Sequence, residues 1–404
     1  MTIRPKLLFL VTEDWYFWSH RLPIARAAHN AGYEVVVATR VQEHGDRILA
    51  EGFGLVPLRL SRGSYSPWHE LMAIRELRRL YRAEKPDIVH HVAMKPVLYG
   101  AIAVLGLRDI QVVNAFAGLG YLAASSSLKA WLLRLVILTV LRFLLWQPNH
   151  RVLLQNKEDQ EFIINKLKVG RDRTILIRGS GVDVRKFTAT PEPAGGVPLV
   201  VLSSRMLWNK GIEEFVEAAQ TLRSEGIATR FILAGNSDEG SPSSIPRETL
   251  LRWKESGSVE WWGHQDNVVE LLQRATLVCL PSHGGEGVPK SLLEAAASQR
   301  TIVTTDVPGC RDIVRQNVNG LLVPPKDVTA LAEAIKELLI DSTRRKEMAE
   351  RGRDIAVREF AEEVVIQQTL AFYQQILPGT RCGPGLGPQD MQETHITTSS
   401  SETL

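Results

Sequence analysis

The sequence has few cysteines, and none is placed to pair with another. Cys279, Cys310 and Cys382 are odd in number and far apart in a chain of 404 residues. This usage excludes a disulfide-stapled secreted domain, and no cysteine has metal-ligand spacing to a partner. We therefore expect a protein of the reducing cytoplasm.

A strong charge of either sign is also missing. The formal net charge is +3, which is too small to indicate a nucleic-acid partner. Hydrophobic residues make up 44% of the chain and charged residues 23%, an ordinary composition for a globular protein. The length suits two domains.

No long apolar run marks the start of the chain. Five apolar residues, 7–11, follow Lys6 before Glu13 and Asp14 introduce negative charge. A signal peptide needs a longer apolar core and a small-residue cleavage site. The run predicts a buried first strand instead.

Residues 128–147 form the most apolar stretch of the sequence. Cationic side chains, among them Arg134 and Arg142, interrupt it and disfavour a membrane-spanning helix. Together with Trp131 they suit a helix lying in the headgroup region of a membrane. The alternative is a buried helix whose arginines extend to the surface. We expect membrane contact through Trp131, Arg134 and Arg142.

Strand-like apolar runs alternate with amphipathic helix-like runs along both halves of the chain. This order predicts parallel sheets covered by helices on both faces. Residues 188–198 are rich in Pro, Gly and Ala and mark a linker. We therefore predict one α/β domain over residues 1–187 and another over residues 199–378. Residues 379–404 have the composition of a disordered tail.

The segment 281–295 predicts an anion-binding loop. Gly284, Gly285 and Gly287 allow a ligand to approach the backbone closely, and Pro289 stands at the expected start of a helix. The unpaired amides and the dipole of a helix N-terminus attract negative charge. The alternative is an ordinary strand–turn–helix junction.

A second loop carries two cations. Arg205 and Lys210 follow the strand-like run 199–204, and Gly211 permits a tight helix start. Arginine can fork onto phosphate oxygens, while lysine acts as a point charge. A solvated basic loop is the alternative. Because ligands of open α/β sheets bind beyond the carboxyl ends of the strands, we expect this loop to face the cleft between the domains.

Two glutamates, Glu286 and Glu294, suggest the paired carboxylates of a glycosidase. Eight residues of helix would separate them by about 12 Å, whereas paired glycosidase carboxylates lie about 5–9.5 Å apart. Two carboxylates that contact different parts of one long ligand fit better. For Glu294, an ordinary surface glutamate is the alternative.

Two cations in one loop, Arg205 and Lys210, thus precede two carboxylates in the next, Glu286 and Glu294. This pattern resembles the donor site of the retaining glycosyltransferases of family 4, and the resemblance extends over residues 6–378. It implies the GT-B fold, in which two Rossmann-like domains turn their parallel sheets toward an interdomain cleft.

By that resemblance, Arg205 and Lys210 would bind the donor diphosphate, and Glu294 would hold the ribose hydroxyls. Glu286 would meet the hydroxyls of the donor sugar. The amides of two glycines would line the site, Gly285 and Gly287. Fixed cations beside a departing diphosphate stabilise the transition state more than the ground state.

The same resemblance implies that the incoming hydroxyl attacks on the face that the nucleotide leaves, with a donor phosphate oxygen taking its proton. No protein nucleophile is then needed. The chain contains no Asp-x-Asp motif. We therefore expect no metal and no cofactor, the nucleotide sugar being a co-substrate.

The first domain departs from the family pattern in two places. Residues 12–21 lack the Gly-Gly turn that many relatives carry, and we expect this aromatic loop to narrow the cleft or to contact lipid or sugar. A loop packed on its own domain is the alternative. Val92 stands where many relatives have the second histidine of a His-x-His motif. Either His90 or His91 is therefore the candidate that serves the donor sugar, and a structural histidine with its hydrogen bonds satisfied is the alternative.

Residues 90–100 and 114–121 resemble the branch of the family that extends undecaprenyl-diphosphate-linked oligosaccharides. This implies a lipid-linked saccharide acceptor at the inner face of the cytoplasmic membrane, in surface polysaccharide assembly. Trp15, His20 and Lys95 are expected on the acceptor side of the cleft. The donor would be a nucleotide diphosphate hexose or N-acetylhexosamine, and the same resemblance implies a UDP-linked one.

Two alternatives stay open. A sugar-nucleotide 2-epimerase shares the two-domain architecture and would convert the donor without an acceptor. A non-catalytic partner subunit would bind sugar nucleotide or membrane without turnover. A dehydrogenase is disfavoured, because no G-x-G-x-x-G follows the first strand.

Overall fold

The computed structural model describes residues 4–60, 67–119, 128–238 and 240–377, the side chains of residues 67 and 128–132 excepted. Over these ranges the chain forms two parallel sheets, each with buried apolar side chains packed against helices. The predicted α/β class is confirmed. The predicted tail, residues 379–404, and Cys382 within it lie outside the described ranges.

The first sheet has the strand order β3-β2-β1-β4-β5-β6-β7. Its strands are β1 (Lys6–Glu13), β2 (Glu34–Arg40), β3 (Gly54–Pro57), β4 (Ile88–Val92), β5 (Gln111–Ala115), β6 (His150–Leu154) and β7 (Thr174–Leu176). In β1 the residues from Leu7 to Glu13 are all buried, as expected of a parallel strand covered on both faces. Phe9 pairs with Val37 of β2 on one side and His90 of β4 on the other.

The second sheet has the strand order β10-β9-β8-β11-β12-β13. Its strands are β8 (Leu199–Ser203), β9 (Arg230–Ala234), β10 (Glu260–Gly263), β11 (Leu277–Leu280), β12 (Thr301–Thr305) and β13 (Gly320–Val323). Each domain therefore repeats one plan: the order reverses beside the first strand, at β1 and β4 and again at β8 and β11. Such a switch point opens a crevice at the carboxyl ends of the strands.

Helices fill the connections between the strands. In the first domain they are α1 (Asp14–His20), α2 (Leu22–Asn30), α3 (Gly45–Ala50), α4 (Pro67–Glu84), α5 (Met94–Ala103), α6 (Leu128–Leu145) and α7 (Lys157–Leu167). After β8 they are α8 (Ile212–Ser224), α9 (Arg247–Glu255), α10 (Val268–Arg274), α11 (Lys290–Ala297), α12 (Cys310–Ile313), α13 (Val328–Ile340), α14 (Ser342–Glu359) and α15 (Glu362–Ile376). Asn156 and Asp327 cap α7 and α13 by accepting a backbone N–H with their side chains.

The aromatic segment after β1 is a helix, although the sequence predicts a loop there. Asp14 opens α1, and one of its carboxylate oxygens accepts backbone N–H bonds from Gln42, Glu43 and His44 at 2.7–2.9 Å. Its other oxygen accepts from the Trp15 N–H at 2.8 Å. These bonds to the segment after β2 fix the start of α1, and a local sequence pattern cannot reveal them.

The last helix packs on the first domain, although the sequence assigns it to the second. Val365, Phe372 and Tyr373 of α15 join the apolar core that lies against β1 and β2. The chain passes from the first domain to the second near Val182 and returns to the first domain near Phe360, and the two segments lie side by side. There the Val182 N–H donates to the Phe360 carbonyl at 2.9 Å, and the Glu362 N–H donates to the Val182 carbonyl at 3.0 Å.

Three arginines of the second domain hold the segment that links the two domains. They bind it at successive points: Arg353 donates to the Phe187 carbonyl (2.6 Å), Arg300 donates to the Thr190 carbonyl (2.8 Å), and Arg345 pairs with Glu192 (2.6 Å). Arg300 and Arg345 are themselves buried. The first part of the predicted linker is therefore fixed to the second domain.

Candidate active site

A cleft of about 470 Å³ lies where the two sheets present their carboxyl ends to each other. Residues that follow β1, β4, β5 and β6 line it from the first domain, and residues that follow β8 and β11 line it from the second. Seven of the residues predicted for the site line this cleft: Trp15, His20, Arg205, Lys210, Gly285, Glu286 and Gly287. The topology thus brings together segments that are far apart in the sequence.

Lys210 and Glu286 form an ion pair in the wall of the cleft. Lys210 Nζ lies 2.5 Å from Glu286 Oε2, and the two side chains are only 13% and 18% exposed. Ser282 Oγ donates to the other carboxylate oxygen, Oε1, at 2.8 Å. Gly211 makes the approach of the two loops possible: its φ is 71°, and a Cβ there would lie 1.9 Å from the Pro281 carbonyl oxygen.

Glu286 is ionised in this setting. Burial by itself would raise the pKa of its carboxyl. The charge of Lys210, together with the hydrogen bonds from Lys210 and Ser282, outweighs that effect and holds the pKa below its ordinary value. A fixed carboxylate therefore faces the cleft, held by a fixed ammonium group.

Arg205 connects the two walls of the cleft. Its guanidinium pairs with Asp238 at 2.5 Å and lies over the ring of Trp15, 5.8 Å from the ring centroid. Trp15 belongs to the first domain and Arg205 to the second. The Arg205 side chain remains 45% exposed, so that a ligand in the cleft can still reach it.

Glu294 does not line the cleft, although the first two residues of its helix do. It follows Ser291, which lines the cleft, by three residues on α11, so the two side chains lie on one face of the helix. Burial raises the pKa of its carboxyl to about 7, although Lys290 and Lys186 act in the opposite direction. The sequence predicts Pro289 as the first residue of this helix. In the structure the helix begins at Lys290, and Pro289 is the residue before it.

The glycine loop that precedes α11 is docked against the first domain. The Gly287 N–H donates to the Ala117 carbonyl at 2.8 Å, across the cleft. A Cβ on Gly287 would lie 1.8 Å from Gln155 Oε1, so a larger residue there would require the Gln155 side chain to move. Gly285 lines the cleft with a φ of 88°. The amide of Gly287, expected to line the donor site, is bonded to protein instead.

Neither His90 nor His91 lines the cleft, which corrects their expected placement. The strand β4 continues to Val92, and Val92 and Ala93 occupy the cleft edge. Consecutive strand residues point to opposite faces of a sheet, so the two histidines lie under the helices on either side. Their partners are Tyr373 for His90 Nδ1 (2.5 Å), and Tyr81 and Asn114 for His91 Nε2 and Nδ1 (2.9 and 3.0 Å).

Burial lowers the pKa of both rings, well below the ordinary value for His90 and to about 4 for His91. Both histidines are therefore neutral members of the core. Their hydrogen bonds join β4 to α4 and to α15, which are structural contacts.

Of the three residues expected on the acceptor side, Trp15 and His20 line the cleft and Lys95 does not. Lys95 Nζ pairs with Glu70 Oε1 at 3.0 Å and lies 5.2 Å from the ring centroid of Tyr99. The lysine thereby joins the start of α5 to the start of α4.

The helix predicted to contact a membrane is α6. Its buried side packs through Leu141, Leu144 and Leu145, and its other side exposes apolar residues: Leu133, Leu135, Val136 and Phe143. Arg142 is exposed and lies 4.7 Å from the ring centroid of Trp146, and Arg134 is half-buried. The side chain of Trp131 lies outside the described residues. Across the described part of the chain, no helix has both the length and the apolarity to cross a bilayer.

Several residues that line the cleft were not predicted from the sequence. They are Glu13 at the end of β1, Tyr16 of α1, Gln155 after β6 and Lys290 at the start of α11. Lys290 could have been found from the sequence. It is the first residue of a helix whose N-terminus faces the expected anion site, and its positive charge adds to the partial positive charge of that N-terminus. The other three depend on how the first domain folds around the cleft.

Two protein-family models match the chain, one in each domain. A model described as Glycosyl transferases group 1 matches residues 197–341, and a model described as Glycosyl transferase 4-like matches residues 6–143. Together they cover more than half of the sequence. The chain therefore belongs to the group 1 and family 4-like glycosyltransferases, as its donor-site pattern predicted.

Curated relatives extend over nearly the whole chain. It is 28% identical over 381 residues to the N,N'-diacetylbacillosaminyl-diphospho-undecaprenol alpha-1,3-N-acetylgalactosaminyltransferase of Campylobacter jejuni, covering 91% of this chain and 98% of that protein. It is 25% identical over 398 residues to the glycogen synthase of Mycobacterium tuberculosis, covering 90% and 91% respectively. The protein is thus a glycosyltransferase that resembles these enzymes over about nine-tenths of its length.

Solved structures share the architecture. Sucrose-phosphate synthase from Thermosynechococcus elongatus matches with a TM-score of 0.76 at 20% identity, covering 93% of this chain and 100% of that one. Anabaena HepE in complex with UDP and glucose matches with a TM-score of 0.74 at 17% identity, covering 92% and 100%. The likeness confirms the predicted GT-B fold.

Proposed function

We propose that this glycosyltransferase moves a hexose or N-acetylhexosamine from a UDP-sugar to a lipid-linked saccharide, with retention of anomeric configuration. The observation that carries the proposal is the grouping of Arg205, Lys210 and Glu286 at one end of the cleft, beside the start of α11. Two cations and a helix N-terminus suit a diphosphate. The carboxylate of Glu286 suits the hydroxyl groups of the sugar.

The proposed donor lies across the second domain. Its diphosphate contacts Arg205 and Lys210, and Glu294 accepts the ribose hydroxyls. Both cations are paired with carboxylates in this structure, Arg205 with Asp238 and Lys210 with Glu286. Because those pairs hold the cations in place, little reorganisation is needed when negative charge develops on the departing diphosphate.

Retention follows in this proposal from attack on the face that the diphosphate leaves. The attacking hydroxyl forms the new bond to the anomeric carbon as the bond to the diphosphate oxygen breaks, and its proton passes to a phosphate oxygen. The two cations balance the charge of the leaving group, so we propose that the reaction needs no metal.

A lipid-linked acceptor is supported by two observations. The Campylobacter jejuni relative is named for a diphospho-undecaprenol saccharide. In addition, the exposed side of α6 is apolar over more than two turns, which is unusual on a protein surface. We therefore propose that the protein works while attached to the inner face of the cytoplasmic membrane.

A second helix adds to this apolar surface. Near its start, α4 exposes Trp68, Leu71 and Met72, and further along it exposes Arg75 and Arg79. A stripe that passes from aromatic and apolar residues to arginines suits a helix lying at an anionic membrane surface. The α4 surface and the α6 surface both belong to the first domain.

The transfer reaction is tested with the purified full chain. Undecaprenyl diphosphate carrying N,N'-diacetylbacillosamine, N-acetylglucosamine or N-acetylgalactosamine is incubated with UDP-glucose, UDP-galactose or either UDP-N-acetylhexosamine. Mass spectrometry identifies the product, and NMR identifies the anomeric configuration of the new linkage. We expect one extended lipid-linked saccharide with the configuration of the donor, formed equally well in EDTA.

Three outcomes would contradict parts of the proposal. An inverted linkage would refute retention, and dependence on a divalent cation would refute the metal-free mechanism. An epimer formed from the UDP-sugar alone would favour the epimerase alternative, and UDP binding without any product would favour a non-catalytic subunit.

Membrane attachment is tested separately by flotation with vesicles of phosphatidylethanolamine and phosphatidylglycerol. The variant Phe143→Asp places a charge on the exposed side of α6 and should reduce flotation strongly. Ile340→Asp is the matched control, because Ile340 is equally apolar and exposed but lies on the second domain. Equal flotation of the two variants would contradict the proposed surface.

A further inference from the structure

His20 is the last residue of α1 and forms part of the cleft wall that the first domain contributes. Its Nδ1 atom lies 2.6 Å from Ser19 Oγ. The Ser19 hydroxyl has a single proton, and Ser19 Oγ lies 2.8 Å from the Trp15 carbonyl oxygen, which can only accept. We assign the ring proton to Nδ1, which then donates to Ser19 Oγ while the Ser19 hydroxyl donates to the Trp15 carbonyl.

This assignment leaves Nε2 as the acceptor atom of a neutral ring. Among the residues that the structure describes, the ring contacts Ser19 Oγ through Nδ1 and has one hydrogen bond to the backbone of Tyr16 on the same helix. The ring is held by stacking on Tyr16, with centroids 4.2 Å apart and planes 4° apart. The turn is held from the other domain as well, because Lys290 Nζ donates to the Ser19 carbonyl at 2.5 Å.

The surroundings keep the ring neutral. Burial lowers the pKa of His20 to about 3, and the charges of Lys290, Arg21 and Arg205 act in the same direction. The imidazole cannot serve as a cation toward the diphosphate. It is a neutral ring in a cleft whose lining also contains the cations Arg205, Lys210 and Lys290.

We infer that His20 Nε2 accepts a hydrogen bond from a hydroxyl group of the acceptor saccharide and orients that saccharide for transfer. The inference rests on the proposed function. The side of the cleft decides between the two substrates: His20 belongs to the first domain, whereas the cations that suit the donor diphosphate belong to the second. A lone pair is the complement that a hydroxyl donor needs.

Two variants separate this role from a structural one. In His20→Gln the side-chain amide reaches the position of Nε2 and can offer an oxygen there, whereas in His20→Asn the amide reaches only the position of Nδ1. We expect His20→Asn to lower kcat/KM for the lipid-linked acceptor by about tenfold or more, the scale of one lost hydrogen bond. We expect His20→Gln to stay within about threefold of the parent, and both variants to bind UDP as the parent does.

The tautomer is measured without turnover. Long-range ¹H–¹⁵N correlation spectra of the ¹⁵N-histidine-labelled chain distinguish a protonated from an unprotonated ring nitrogen, and the His20→Gln spectrum assigns the His20 signals. We expect a neutral ring protonated at Nδ1. An imidazolium ring, or a ring protonated at Nε2, would overturn the inference whatever the kinetics show.

The remaining outcomes keep the two proposals apart. If the parent chain transfers sugar and His20→Asn equals it, the role of His20 is wrong and the proposed function stands. If UDP affinity falls in His20→Asn while the KM for the acceptor does not change, His20 serves the donor, and the inference is again overturned. If the parent transfers no sugar to any acceptor while the tautomer is as expected, the proposed function is wrong, and the saccharide role of His20 falls with it.

Discussion

Replacing Lys210 by alanine removes a largely buried cation of the proposed diphosphate site. The ammonium group is 2.5 Å from Glu286 Oε2, and both side chains are largely buried. The substitution therefore has two effects. It takes a positive charge from the proposed diphosphate site, and it leaves the buried carboxylate of Glu286 without its cation.

The magnitudes of the two effects can be estimated separately. Losing one preorganised group that stabilises developing charge costs about 10²–10³ in kcat, or about 2.7–4 kcal/mol. Breaking one side of a buried ion pair costs about 3–5 kcal/mol of stability, although the Ser282 hydrogen bond to Glu286 remains and reduces this figure. We expect kcat/KM to fall by at least about 10²-fold, and the chain to unfold at lower urea.

The double variant Lys210→Ala, Glu286→Gln separates activity from stability. It has no unpaired charge, so most of the lost stability should return while the activity should not. Lys336→Ala is the matched control, because Lys336 pairs with Glu225 at a similar distance of 2.6 Å but at the surface. Lys336→Ala should change neither kcat/KM nor the stability to urea by much, because a surface ion pair contributes about 0–1 kcal/mol.

The assay measures kcat/KM for the UDP-sugar that the parent uses, at a saturating concentration of the lipid-linked acceptor. Urea unfolding of each variant is measured alongside. A loss of less than tenfold, with the parent substrate verified, would refute the role of Lys210. A double variant as inactive and as unstable as the single one would refute the separation of the two effects.

Three further predictions concern stability. The pKa of Glu294 is about 7 in the fold and 4.5 when unfolded, so the folded state binds more protons between these values. Its stability should therefore fall as the pH rises from 4.5 to about 7. Melting temperatures measured across this range check the prediction, and Glu294→Gln should flatten the profile. Gly211→Ala should cost about 2 kcal/mol or more in urea unfolding and impair transfer, because its left-handed φ and the Pro281 carbonyl both oppose a Cβ; unchanged stability would contradict the geometry. Arg345→Leu should cost about 3 kcal/mol by leaving Glu192 unpaired, and adding Glu192→Gln should restore part of it.

The donor side of the site could be predicted from the sequence because its signals are local. Arg205, Lys210 and Glu286 lie in the segments that follow two buried strands, and the carboxyl ends of parallel strands share one edge of a sheet. Charge type and topology together were enough to bring these residues to one cleft. The two-domain plan followed in the same way from the alternation of strands and helices.

The first domain was harder to predict because its contacts are long-range. His90 stands at a strand end in the sequence, but its partner Tyr373 lies 283 residues away on a helix that returns from the other domain. Lys95 follows a strand closely, yet Glu70 of the preceding helix binds it. The helix that begins at Asp14 depends on backbone amides that follow β2. Local patterns contain none of these partners.

The three arginines that bind the segment between the domains also determine where the protein can bend. Residues 184–192 are bound to the second domain, so a bend between the domains cannot occur within them. A rotation of one domain against the other would then be confined to the residues just before them, near Gly181, whose φ is 82°, and to the return crossing near Phe360. The two crossings are hydrogen-bonded to each other, so both would turn together. Any opening of the cleft would then be a rotation about one short axis.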